Sequence, residues 1–132
     1  MDSFNKKDIR ILIVDDSDFS RTQIAGMLSE YNVVGEVASA KEAISILADT
    51  TVHLAIVDIV MPEVSGIELA DYISTNYDKV AIIMISSLGQ ENIIIDSISA
   101  GASDFLQKPI KSKNLISSID KLTEKIIREK EG

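Results

Sequence analysis

No cysteine occurs in the 132 residues. A disulfide framework, a thiolate metal site and a cysteine nucleophile are therefore excluded. Tryptophan is also missing, and aromatic residues make up 5% of the chain. With a single histidine, His53, any metal would be held by oxygen or by that one imidazole. Basic residues are the minority, 13 against 21 acidic, for a net charge of −8. Non-specific nucleic-acid binding needs Lys and Arg set against phosphates, so this balance argues against it. No apolar run approaches the ~20 residues of a membrane span. The N-terminal "MDSFNKKDIRILIV" has a lysine pair, but its aliphatic run is short and lacks a small-residue cleavage site; it reads as a first strand, not as a signal peptide. The expectation is a cytoplasmic protein with neither a membrane nor a nucleic acid as partner.

What is present is ordinary for a globular domain: 45% hydrophobic and 26% charged residues. The length suits one domain with its own core, spanning 1–132 with a core of about 8–127, and the pattern leaves no room for an output domain. Short β-branched runs alternate with amphipathic segments. The runs are "IRILIV" (9–14), "NVVGEVA" (32–38), "HLAIVD" (53–58), "VAIIMIS" (80–86) and "DFLQK" (104–108). Helical spacing joins Ile24, Met27, Leu28 and Tyr31; Ala40, Ala43, Ile44 and Leu47; Ile67, Ala70 and Ile73; Ile94, Ile95 and Ile98; and finally Leu115, Ile119, Leu122 and Ile126. Five βα units in sequence predict a doubly wound α/β domain, a parallel sheet with helices on both faces.

The polar residues sort to one edge of that sheet. Asp15 and Asp16 end the first run, Asp58 the third, Ser86 and Ser87 the fourth, and Lys108 the fifth. In open parallel sheets, ligands bind outside the carboxyl ends of the strands. Adjacent carboxylates about 4 Å apart repel by roughly 4 kcal/mol at an effective dielectric near 20, so Asp15 and Asp16 call for a compensating charge. Three converging carboxylates form an all-oxygen site for a hard cation, Mg²⁺ with Mn²⁺ as the alternative, and not for zinc. A lysine and a serine hydroxyl beside it suit phosphoryl oxygens, whose transfer depends mainly on positioning and charge neutralisation. The edge reads as a site for phosphoryl chemistry on a carboxylate.

Asp15 and Asp16 could instead be solvated N-cap residues of the first helix, but Asp58 and Lys108 on the same edge weigh against that. Asp18 fits the cap role better. Lys108 alone could be a surface charge near a turn. His53 lies at the opposite end of the third strand and reads as structural or solvent-facing, while Met61 and Tyr72 read as packing residues. Ile93, Ile94 and Ile95 together sweep about 200° of a helix, wider than a buried stripe, so at least one is exposed. That leaves two readings: lone surface isoleucines, or part of a docking patch.

These features resemble the receiver domain of two-component response regulators, in particular single-domain chemotaxis regulators of the CheY type. The resemblance rests on "DD" at 15–16; "VDIVMPEVSG" with Asp58, Pro62 and Gly66; "MISS" with Ser86; and "AGASDFLQKP" with Phe105, Lys108 and Pro109. It runs from about residue 8 to 127. It implies a flavodoxin-like fold of five strands in the order 2-1-3-4-5 with five helices. Asp58 would accept a phosphoryl group from a phosphohistidine of a CheA-like sensor kinase. Asp15, Asp16, Asp58 and the backbone carbonyl of Val60 would hold Mg²⁺, and Ser86 and Lys108 would contact the transferred phosphoryl group. Phe105 would be an aromatic switch moving with Ser86, and Lys108–Pro109 a cis peptide. Serine stands at 86 where many members carry threonine. Val60 and Leu88 are apolar at positions that influence attack by water, which implies slow self-hydrolysis.

In this reading the chain is not a conventional enzyme but a monomeric switch that catalyses its own phosphorylation and dephosphorylation. Its target would be a flagellar motor switch protein or another protein, reached through Ile94, Ile95, Ile98 and Phe105, with a phosphatase as a further partner. A phosphate sink or a phosphorelay intermediate fits the same site. A haloacid-dehalogenase-type phosphatase would use Asp16 and Asp18, but such enzymes usually have a longer chain. A flavodoxin-like electron carrier would place an FMN phosphate against the acidic "DDSDFSR". A degenerate receiver would not retain the full set of acids and lysine.

Overall fold

The structure, a computed structural model, describes residues 5–131 and the side chains of 5–128; residues 1–4 and 132 of the expected 1–132 domain lie outside it. Five strands, β1 (Arg10–Val14), β2 (Asn32–Val37), β3 (Leu54–Asp58), β4 (Ala81–Ser86) and β5 (Asp104–Gln107), alternate with five helices. The helices are α1 (Asp18–Gly26), α2 (Ala40–Asp49), α3 (Gly66–Asn76), α4 (Glu91–Ser99) and α5 (Ser112–Glu131). All strands pair in parallel, in the order β2-β1-β3-β4-β5. This is the order the resemblance implies. No helix among the described residues is long and apolar enough to cross a membrane.

Alternation along the strands divides the core in two. Ile11 and Ile13 of β1, Leu54 and Ile56 of β3, and Ile83 and Ile85 of β4 face Ile24 of α1 and Leu115, Ile119 and Ile126 of α5. Leu12, Val14, Ala55, Val57, Ile82 and Met84 face the other way, onto α2 and α3 through Ala40, Ala43, Leu47, Leu69, Ala70 and Ile73. Each fully buried Leu or Ile stabilises the fold by roughly 1.5–3 kcal/mol, so both faces hold the central strands. Past the strand ends the chain turns into the loops that lead to the helices.

Three of those loops end in a serine cap. Ser17, Ser39 and Ser65 accept the backbone N–H of Ser20, Glu42 and Glu68, each at 3.2 Å. Such caps are worth about 1 kcal/mol each and fix where α1, α2 and α3 begin. The cap of α1 is thus Ser17 and not Asp18, which is the first helical residue and pairs with Arg21. At α4 the N-cap is Gln90, whose side chain makes no capping hydrogen bond.

One helix is shorter than its apolar spacing suggests. Helix α1 stops at Gly26, so Met27, Leu28 and Tyr31 lie beyond it. The chain tightens there through hydrogen bonds from Met27 N–H to Ile24 O (3.0 Å) and from Leu28 N–H to Ala25 O (3.1 Å). These i to i−3 bonds end the α-helical ladder. Tyr31 is still buried, and its hydroxyl donates to Asp120 Oδ1 at 2.8 Å. His53 is buried and structural: its Nδ1 accepts the Arg10 N–H at 3.0 Å, joining β1 and β3 at the edge away from the acids.

Candidate functional site

The strand ends bring the acids together. Asp15 follows β1, held by its N–H to Val37 O at 3.0 Å, and is fully buried. Its Oδ1 accepts the Ser17 N–H at 2.9 Å, and its backbone carbonyl accepts Arg21 Nη1 at 2.6 Å. Asp58, the last residue of β3, is 4% exposed. Asp16 is exposed beside them. One carboxylate oxygen from each of the three lies within 4.8 Å of the others. That spacing and chemistry fit a single divalent cation held by oxygen.

Lys108, just past β5, reaches back across β4. Its Nζ is 2.9 Å from Asp15 Oδ2 and 3.6 Å from Asp58 Oδ2. Its backbone N–H donates to Ser86 O at 2.8 Å, which anchors the lysine beside the end of β4. The Lys108–Pro109 peptide is cis. Ser86 is fully buried, and its Oγ accepts the Leu88 N–H at 3.0 Å, tying the hydroxyl to the loop that follows.

Electrostatics split the two buried acids. Burial opposes ionisation of Asp15, but Ser20, Lys108 and the Ser17 N–H outweigh it and hold that carboxyl below the usual range. Asp58 is pushed up to about 7, first by burial and next by the negative charge of Asp15; Lys108 pulls the other way and Asp16 adds to the rise. Lys108 alone therefore does not neutralise the pocket. A cation among the three carboxylates would reverse the shift on Asp58, because an added positive charge favours the ionised form.

The loop from β3 to α3 is pinned by Gly66. Its N–H donates to Ile59 O at 2.8 Å, and a Cβ there would lie 2.1 Å from Asp58 O. Only glycine allows the start of α3 to close over the backbone of the site. Val60, in the same loop, is 55% exposed.

Asp15, Asp16, Asp58 and Lys108 thus meet as expected, with Ser86 at the end of the adjacent strand. Phe105 is half-buried and packs on the core face shared with α2 and α3. Ile94, Ile95 and Ile98 stand 36%, 54% and 50% exposed on α4, whereas Ile93 packs against the core. Tyr72, expected to pack, is exposed. Ser20 and Arg21, which set the charge and the backbone of Asp15, carry no strand-end signal and were not legible in the sequence. Arg21 falls six residues after Asp15, at the right distance to return from the second turn of α1.

A family model described as the response regulator receiver domain matches residues 11–120. The chemotaxis protein CheY of Bacillus subtilis strain 168 is 37% identical over 114 residues, covering 85% of this chain and 95% of that protein. Among solved structures, a CheY-like response regulator receiver domain protein of Methanospirillum hungatei superposes with a TM-score of 0.83 at 30% identity, over 94% of this chain and 98% of that one. A CheX–CheY–BeF₃–Mg²⁺ complex from Borrelia burgdorferi contains a chain similar at a TM-score of 0.82 and 29% identity, with 87% of this chain and 89% of that chain covered.

Proposed function

The chain belongs to the response regulator receiver domain family, and from that premise we propose that residues 1–132 form one phosphorylation-operated switch with Asp58 as phosphoacceptor. The observation that carries this is the approach of the Asp15, Asp16 and Asp58 oxygens to within 4.8 Å, with Lys108 Nζ 3.6 Å from Asp58. A carboxylate oxygen of Asp58 attacks the phosphorus of a phosphohistidine on a sensor kinase. The O–P bond forms as the N–P bond breaks, and the electron pair leaves on the imidazole nitrogen, which takes up a proton. Lys108 neutralises the transferred oxygens, and the Ser86 hydroxyl donates to them while its oxygen still accepts from Leu88. Asp15, Asp16, Asp58 and the Val60 carbonyl would hold Mg²⁺, which supplies charge neutralisation on the phosphoryl group. Asp58 is pushed up to about 7 even with Lys108 beside it, so that added charge favours its ionised, nucleophilic form.

The downstream surface is α4, where Ile94, Ile95 and Ile98 contribute exposed apolar area to a protein partner, with Phe105, packed against the core, as the switching aromatic. The similarity to chemotaxis proteins supports a flagellar motor switch protein as that target, and a CheA-like kinase as donor. The phosphatase reading through Asp16 and Asp18 has less support, since the Asp18 side chain is 91% exposed and pairs with Arg21. Incubation with acetyl phosphate and Mg²⁺ should add one acid-labile phosphoryl group by intact mass, absent in Asp58→Asn. Labelling retained in Asp58→Asn but lost in Asp16→Asn would favour the phosphatase instead.

A further inference from the structure

The hydrogen-bond ladder between β4 and β5 closes with Ser86 opposite Gln107 and the Lys108 N–H on Ser86 O. The Gln107 side chain extends that contact one step further, its Nε2 donating to Ser87 O at 3.4 Å. The same amide sits close to Gly89: a Cβ at 89 would meet Gln107 Oε1 at 2.4 Å, Cδ at 2.6 Å and Nε2 at 2.8 Å. Gly89 has no positive φ, so its backbone does not require glycine. A Cβ there would instead have to displace the Gln107 amide. Gln107 is exposed and supports no core, so its contacts serve the 87–89 loop and little else.

That loop joins the phosphoacceptor pocket to the exposed isoleucines. Its first end carries the Ser86 hydroxyl, bound by the Leu88 N–H, and its other end leads into α4, whose N-cap Gln90 makes no side-chain hydrogen bond. Helices α1, α2 and α3 are each fixed by a serine. The start of α4 has no such serine cap, and the loop before it is tied instead by the Gln107 bond to Ser87 O.

We propose that Gln107 is a latch: its amide, seated on Gly89 and bonded to Ser87 O, holds the 87–89 loop and α4 in the unphosphorylated arrangement. This rests on the receiver reading of Asp58. Drawing Ser86 and Ser87 toward a phosphoryl group on Asp58 pulls the Ser87 carbonyl from the Gln107 amide and frees the start of α4. A single exposed hydrogen bond biases such an equilibrium by a modest factor, since a net contribution of about 1 kcal/mol corresponds to roughly fivefold.

The test uses the full chain with Mg²⁺ and beryllofluoride, followed by backbone amide chemical shifts, in wild type, Gln107→Ala, Gln107→Met and Gly89→Ala. Gln107→Ala and Gly89→Ala should reach half-saturation at three- to tenfold lower beryllofluoride. Their loop amides should shift part-way toward the bound positions before any is added. Hydrogen exchange at 91–95 should quicken while that in α1–α3 stays unchanged. Gln107→Met, which keeps the length and loses the donor, should behave like Gln107→Ala. Unchanged or higher midpoints in both Gln107→Ala and Gly89→Ala, with wild type binding normally, would overturn the latch and leave the receiver reading standing. Failure of the wild-type chain to bind beryllofluoride overturns both.

Discussion

Lys108 Nζ stands nearer to Asp15 than to Asp58, 2.9 Å against 3.6 Å. In the proposed switch the lysine would therefore compete with a cation for Asp15 before phosphorylation, while remaining within reach of oxygens attached to Asp58. Replacing it with methionine should leave Mg²⁺ binding intact or several-fold tighter by calorimetry. The same variant should accept phosphate from acetyl phosphate at least tenfold more slowly, which intact mass against time would read.

The metal-free protein should lose stability as the pH rises from about 4 to about 7. In that window the unfolded Asp58 has released its proton and the folded one, pushed up to about 7, still holds it. The folded state then binds more protons, so unfolding becomes easier with rising pH, by up to a few kcal/mol. Urea unfolding at several pH values should show this slope in wild type with chelator and a flatter one in Asp58→Asn. Mg²⁺ should flatten it as well.

Asp15 and Asp16 should separate under mutation. Asp16 is exposed, so Asp16→Asn should leave metal-free stability within about 0.5 kcal/mol yet abolish the rise in Tm on adding Mg²⁺. Asp15→Asn should lose the Mg²⁺ response and also alter stability, because it disturbs the Lys108 pair and the Ser17 N–H bond.

Gly66→Ala should be severe. The added Cβ would fall 2.1 Å from a backbone oxygen, Asp58 O, with no flexible side chain to yield. A loss of roughly 2–4 kcal/mol in denaturant unfolding is expected, in the range of strongly destabilising single substitutions. Phosphorylation should slow in parallel, since the displaced backbone carries Asp58 itself.

Ile95→Asp should do the opposite. At 54% exposure Ile95 holds little of the core, so unfolding should shift by no more than about 0.5 kcal/mol and phosphorylation should be unchanged. Binding to a motor-switch peptide in the presence of beryllofluoride should fall at least tenfold, read by titration calorimetry. Equal binding would place the target elsewhere.

The strands and the acid site were legible because both follow from patterns that one residue at a time can carry. Ile11 through Val14 must be buried on both faces, and an Asp after such a run can only stand at its end. Helix ends were less legible, as Tyr31 shows: its spacing continues the apolar stripe of α1, yet Gly26 and two i to i−3 bonds end the helix first. Arg21 on the Asp15 carbonyl and Gln107 on Gly89 depend on distances between elements. No local period announces them.

The exposed isoleucines of α4 and the acids at the strand ends belong to separate parts of the chain. Asp15, Asp58, Ser86 and Lys108 stand at the ends of β1, β3, β4 and β5, whereas the outward face of α4 adds nothing to the sheet's packing. Under the proposed switch function, substitutions along Ile94, Ile95 and Ile98 should change which protein hears the signal without changing how the signal is written. A cell could thus keep several such chains sharing one reaction and insulate each from the others' listeners.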